Sequence, residues 1–251
     1  MNETRLAAVC AELARMMIKY GAEIYRVEDT VTRICSAYGH DEAEVYATPA
    51  NFMITLKDKN NTPITENKVI RGRDTNLDRL GRINELSRRI CAKKPPIELI
   101  EQRLEEIKAR PAYSAFTIYV SFAVVGAAFT VFFGGSMVEA AYAAILALIV
   151  RCIEGRLRMV RASTFLNAVV CSMVISLLAV TISSVGLVSR FDRMIIGASM
   201  CLVPGVAMTN CMRDFISGDF YSGIYTLTEA LLTAAGLAVG AGSAVAAVIK
   251  F

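Results

Sequence analysis

An abrupt change of character near Ser114 constrains this chain more than any other feature of it. Residues 1–113 hold 36 of the Asp, Glu, Lys and Arg side chains, and residues 114–251 hold 14. A single water-soluble domain distributes its charge over its whole surface, so a chain divided in this way reads as a charged soluble domain followed by a membrane domain. The mean hydropathy of +0.46 and the 55% apolar content come almost wholly from the second part. This pattern excludes a soluble enzyme, a disordered protein and a coiled coil. The predicted class is an α-helical membrane protein, with a cytoplasmic α+β N-terminal domain over residues 1–113 and about five transmembrane helices over 114–251.

Within the first part, apolar residues recur at helical spacing in Leu6, Val9, Leu13, Met16 and Met17, and again in Ile24, Val27, Val31, Ile34 and Cys35, with Gly21 and Gly39 as punctuation. Val45 to Leu56 reads as one strand with an edge or bend at Pro49. Asp58-Lys59-Asn60-Asn61 is a turn signal, and a second strand near Ile64–Ile70 completes a hairpin. Leu77, Leu80, Ile83, Leu86 and Ile90 share a helix face, and Pro95-Pro96 starts a last helix running to about Lys108. The expected order is helix, helix, hairpin, helix, helix.

The second part divides into apolar stretches of the length a bilayer core demands, approximately 114–133, 137–153, 163–188, 194–212 and 221–249. A basic run, Arg151, Arg156, Arg158 and Arg161, falls between the second and third. With the N-domain inside, the inner flanks carry that run together with Arg103, Lys108, Arg110 and Arg213, against Arg190, Arg193 and Lys250 outside. Five spans then leave the C-terminus outside. Met1-Asn2-Glu3-Thr4-Arg5 is polar with no apolar stretch behind it, so no cleavable signal peptide is expected.

Residues 201–240 hold most of the candidate chemistry. Pro204-Gly205 lies inside the fourth apolar stretch; proline removes an N–H and clashes with the preceding turn. A broken helix in a bilayer exposes backbone groups that can bind a substrate, although an ordinary kink has the same signature. Asn210, Arg213, Asp214 and Asp219 follow. Glu229 comes about eight residues into the last span, roughly 12 Å deep at 1.5 Å per residue. A lone carboxyl there is costly unless protonated or paired, so it is either a proton- or substrate-binding acid or a structural partner, for instance of Arg213. Glu139 opens the second span and reads as interfacial. Gly236 and Gly240 form a small-xxx-small pair suited to close helix contact, within the chain or with another subunit. In the soluble part, Gly21, Glu23, Arg26 and Glu28 belong to a charged helix start, Gly21-Ala22-Glu23-Ile24-Tyr25-Arg26-Val27-Glu28-Asp29, whose bland reading is a solvated cap.

Other chemistries lack their signatures. The seven cysteines are scattered without a C-x-x-C and there is one histidine, so no metal site and no cofactor are expected. No P-loop, H-E-x-x-H or G-x-S-x-G occurs, and no basic face with interleaved aromatics suggests nucleic acid.

Several of these stretches, in this order, resemble the bacterial threonine/serine exporter family. They are the Gly21–Asp29 segment, Thr48-Pro49, Asn84 with Ser87-Arg88, Phe132-Phe133-Gly134-Gly135, Pro204-Gly205, Thr209-Asn210, Arg213-Asp214, Ser217-Gly218-Asp219, Ser222-Gly223 and Glu229-Ala230. The resemblance covers most of the chain and implies an inner-membrane exporter of small polar acids driven by the proton motive force. It also implies the larger member of a two-chain version, associated with succinate as well as threonine and serine, with a smaller membrane protein as partner. A homo-oligomer completing the pathway stays open as the alternative. The sequence departs from the family at Thr226, where an arginine is expected; an arginine there could hold a substrate carboxylate bidentately. Two other readings compete: a membrane-anchored sensor working through its cytoplasmic domain, and an intramembrane hydrolase, which would lack a nucleophile–histidine pair.

Overall fold

The computed structural model describes residues 3–58, 60–72, 75–110, 113–160 and 162–249. Met1, Asn2, Lys59, Arg161 and Lys250, which enter the expectations above, lie outside the described residues. The chain forms two compact units, residues 1–111 with 209–226, and residues 112–208 with 227–251.

The first unit opens with α1 (Glu3–Lys19) and α2 (Ile24–Ala37). Ten of the 17 residues of α1 are buried, from Leu6 to Ile18, so this helix runs through the core rather than along its surface. Three antiparallel strands follow in the spatial order β1 (Glu44–Ala47), β2 (Asn51–Lys57), β3 (Pro63–Val69). Alternation along β2 sends Phe52, Ile54 and Leu56 into the core, where α1 packs on β2 and β3. The helices α3 (Leu77–Lys93) and α4 (Ile97–Ala109) close the unit against α1. Asn76 caps α3 through a hydrogen bond from the Arg79 N–H, and Lys94 ends it in the left-handed region at φ 45°. Pro96 sits just before α4 rather than in its first turn.

The single strand expected over Val45–Leu56 is two strands. The Thr48 N–H donates to the Asn51 carbonyl at 2.7 Å, and the Asn51 N–H donates to Thr48 Oγ1 at 2.9 Å. These bonds fold Thr48-Pro49-Ala50-Asn51 into a tight turn. Proline suits its second position, so the residue read as a bend makes a hairpin. Val45 then pairs with Ile54 and Tyr46 with Met53.

The second unit holds α5 (Ala115–Phe132), α6 (Met137–Met159), α7 (Thr164–Ser184) and α8 (Phe191–Ser199). Serine hydroxyls start three of them: Ser114, Ser136 and Ser163 each accept a backbone N–H three residues on. Glu139 completes a capping box with Ser136 and also accepts the Arg190 N–H at 3.1 Å, which accounts for a carboxylate that is 5% exposed. The short α8 packs against α5, α6 and α7. Glycines permit that approach: a Cβ on Gly197 would collide with Thr130 and Gly126 O of α5, and a Cβ on Gly126 would lie 2.9 Å from the Ala147 Cβ of α6.

The last two helices are α9 (Gly205–Ile216) and α10 (Phe220–Ile249). Residues 205–208 fall in the second unit and 209–216 in the first; α10 begins in the first unit and continues into the second from residue 227. The stretch read as one span over 194–212 is thus two helices, with Met200–Pro204 outside either. The basic run read as a loop after residue 153 is helical as far as Met159. Glu154, 8% exposed, accepts from Arg151 at 3.0 Å and from Arg158 at 2.8 Å, so the charges that ended the apolar stretch neutralise one another on the helix. Among the described residues, three helices are long and apolar enough to cross a membrane: Ala115–Phe132, Thr164–Ser184 and Phe220–Val248.

Candidate functional site

Two segments far apart in sequence meet in the first unit. One is the charged helix start after α1. Gly21, at φ +95°, ends α1 in the left-handed region that favours glycine, and the Ala22 N–H returns to the Met17 carbonyl at 2.9 Å. Glu23 then occupies the N-cap of α2 in extended conformation, yet its side chain makes no capping bond. It is 6% exposed and turns instead to two arginines. Arg213 Nη1 of α9 donates to Glu23 Oε1 at 2.5 Å, and Arg26 Nη1 lies 3.7 Å from Glu23 Oε2. One turn before Arg213, Asn210 Nδ2 donates to the Gly21 carbonyl at 3.4 Å. The structure therefore joins Gly21, Glu23, Arg26, Asn210 and Arg213 in one cluster. An N-cap acid that gives up its cap for a distant guanidinium is the signature of a tie between segments rather than of a solvated helix start.

The residues after Arg213 build the turn that carries it. Asp214 is 3% exposed. Gly218, at φ +87°, ends α9, with the Asp219 N–H on the Asp214 carbonyl at 2.9 Å. Asp219 Oδ1 then accepts the Ser222 N–H at 3.1 Å as α10 begins. A Cβ on Gly223 would lie 2.6 Å from the Phe215 ring, so the Ser222-Gly223 pair lets α10 fold back on α9. Glu28 Oε1 accepts the Ala47 N–H at 2.8 Å and ties α2 to β1. Burial pushes the Glu28 carboxyl above the usual carboxylate range and the charge of Asp219 adds to it, while the Ala47 hydrogen bond acts in the opposite sense.

Pro204, Gly205 and Glu229 belong to the second unit and are not part of this cluster. The Pro204 carbonyl accepts the Met208 N–H at 3.0 Å and so starts α9. A Cβ on Gly205 would meet nothing within 4 Å. Glu229 is half-buried, and among the described residues no donor meets its carboxyl; only its backbone carbonyl is used, by Thr233 Oγ1 at 2.9 Å. A Cβ on Gly236 would lie 2.9 Å from the Phe165 carbonyl and 3.0 Å from the Ala168 Cβ, and one on Gly240 would collide with Val169 and Ser172. The small-residue pair thus seats α10 on α7 within the chain, and the two helices run parallel. Glu229 precedes Gly236 by seven positions, roughly 10 Å along the helix. It therefore lies near the level at which α7 starts. The 30 residues of α10 cover about 45 Å, longer than the ~30 Å core of a bilayer.

Two features escape a reading of the sequence by hydropathy. Glu154 is hidden by its two arginine partners in what looks like a basic loop. Four polar residues of α10, Ser222, Thr226, Glu229 and Thr233, follow a 4-3-4 spacing that places them on one helix face, and Ser222, Thr226 and Thr233 are buried. That spacing is visible in the sequence.

The family model for threonine/serine exporters matches residues 8–248. The chain is 23% identical over 241 residues to the "Threonine/serine exporter" of Corynebacterium glutamicum, covering 93% of this chain and 49% of that protein. It is 22% identical over 244 residues to the "Probable threonine/serine exporter" of Mycobacterium tuberculosis, covering 96% of this chain and 46% of that one. The chain spans about half the length of these curated relatives. No solved structure matches it. With a family match over nearly the whole chain and helices apolar enough to cross a bilayer, this membrane protein belongs to the threonine/serine exporter family.

Proposed function

We propose that this chain is one subunit of an inner-membrane secondary exporter of small polar acids, threonine and serine or dicarboxylates such as succinate, driven by the proton motive force. The observation that carries the reading is α10. Its 30 residues hold one charged side chain, Glu229, whose carboxyl has no partner among the described residues. Keeping such a group on an apolar helix costs on the order of a few kcal/mol, which a site for a proton or a polar substrate would offset. In this reading the segment from Met1 to Tyr113 forms a cytoplasmic domain, five spans follow, and the C-terminus lies outside. The parallel course of α7 and α10 agrees with that order, in which the third and fifth spans both run outward. The part of the curated relatives that the chain does not cover would be supplied by a smaller membrane protein of the same family, or by a second copy of this chain.

The test is efflux of preloaded labelled serine, threonine and succinate from cells carrying this chain alone, this chain with the candidate small partner, or neither. Efflux that requires both chains supports the two-component exporter and identifies its substrate. Absence of efflux for all three solutes, with both proteins in the membrane, counts against the reading.

A further inference from the structure

Glu23 has two arginine partners of unequal standing. Arg213, from α9, holds Oε1 at 2.5 Å. Arg26, one turn along on Glu23's own helix, stands 3.7 Å from Oε2, too far for a hydrogen bond, and meets no other acid among the described residues. The carboxylate is 6% exposed, while the two arginine side chains are 58% and 52% exposed. Water can therefore reach both guanidiniums but hardly reaches the acid. If Arg213 withdrew and nothing replaced it, a buried charge would be left uncompensated. Arg26 removes that obstacle, because a shift of less than about one ångström on the same helix turns its long ion pair into a hydrogen-bonded one. The other bond in the tie, from Asn210 to the Gly21 carbonyl, is long at 3.4 Å. The segment bearing Arg213 is interrupted on both sides, by the non-helical Met200–Pro204 before α9 and by Gly218 at φ +87° after it.

We propose that Glu23 is a two-partner switch, exchanging Arg213 of α9 for Arg26 of α2 when α9 shifts, and that this exchange accompanies each transport cycle. The transport clause rests on the export reading above; the exchange of partners does not. Two measurements on the full chain separate them.

The first is thermal unfolding of the purified protein with Arg213→Ala, made in the native and in the Arg26→Ala background. A stand-by partner predicts a fall in Tm at least about twice as large when Arg26 is absent, because then nothing compensates Glu23. It also predicts that adding Glu23→Gln abolishes the excess. Equal falls in the two backgrounds would overturn the exchange.

The second is efflux by Arg26→Ala alone, which keeps the observed Glu23–Arg213 pair. The switch predicts an efflux rate lowered by about tenfold or more with little change in Tm, and partial recovery with Arg26→Lys. Native efflux from Arg26→Ala would overturn the coupling to transport. If the native chain with its partner exports nothing, the export reading fails, and the thermal comparison still decides the exchange.

Discussion

Replacing Gly197 with alanine tests the packing of the second unit at its tightest point. A Cβ there would collide with Thr130 Oγ1 and stand 2.7 Å from Thr130 N and 2.8 Å from Gly126 O. The hydroxyl can rotate away, but the other two atoms are backbone of α5, so α8 and α5 must separate. Overpacking of this kind costs about 1–3 kcal/mol, and backbone obstacles place this case toward the upper end. At about 2–4 °C per kcal/mol for a chain of this size, a cost of 2–3 kcal/mol lowers Tm by about 4–12 °C. Gly205→Ala is the matched control. Nothing lies within 4 Å of a Cβ there, and alanine favours helix by up to about 1 kcal/mol, so Tm should hold or rise slightly. Both variants would be followed by thermal unfolding in one detergent. If Gly197→Ala unfolds within about 1 °C of the native chain, or if the two substitutions have equal effects, α8 does not pack on α5 as described.

Two further outcomes concern buried charge. In the first unit, burial alone would raise the Glu12 carboxyl, but Arg15 and Lys108 outweigh it and hold the group at about 2. A depressed carboxyl stabilises the fold fully above its unfolded value of 4.5 and loses that contribution as pH falls toward 2, so Glu12→Gln should cost on the order of 2–3 kcal/mol at pH 7 and almost nothing near pH 2, read by denaturation at both pH values. In the second unit, Glu154→Gln removes the acid that the largely buried Arg151, 22% exposed, holds; a loss of roughly 1–3 kcal/mol is expected, partly restored by adding Arg151→Met, and a native Tm in the single variant would refute the bridging role.

How much of this is legible in the sequence depends on the range of the interaction. The helices α1 to α4 follow from apolar spacing and from the Gly21, Gly39 and Pro95-Pro96 punctuation, all local signals. The β1–β2 hairpin does not, because Pro49 is equally compatible with a bent edge strand, and only the reciprocal Thr48–Asn51 bonds select the turn. The helical extension to Met159 is hidden because hydropathy stops at Arg151, whereas Glu154 neutralises its neighbours on the same helix. Gly236 and Gly240 announce a close contact but not its partner, which is α7. The Glu23–Arg213 tie has no periodic signal, since its members lie in segments that look like separate structures.

The export reading meets its most direct test in Glu229→Gln, expressed with the candidate partner and assayed for efflux of labelled serine, threonine and succinate beside the native chain. The substitution keeps shape and hydrogen-bonding capacity but removes the charge and the titratable proton. The account predicts that this variant reaches the membrane in native amount, unfolds at the native temperature and exports none of the solutes the native chain exports. Efflux at the native rate from Glu229→Gln would contradict it.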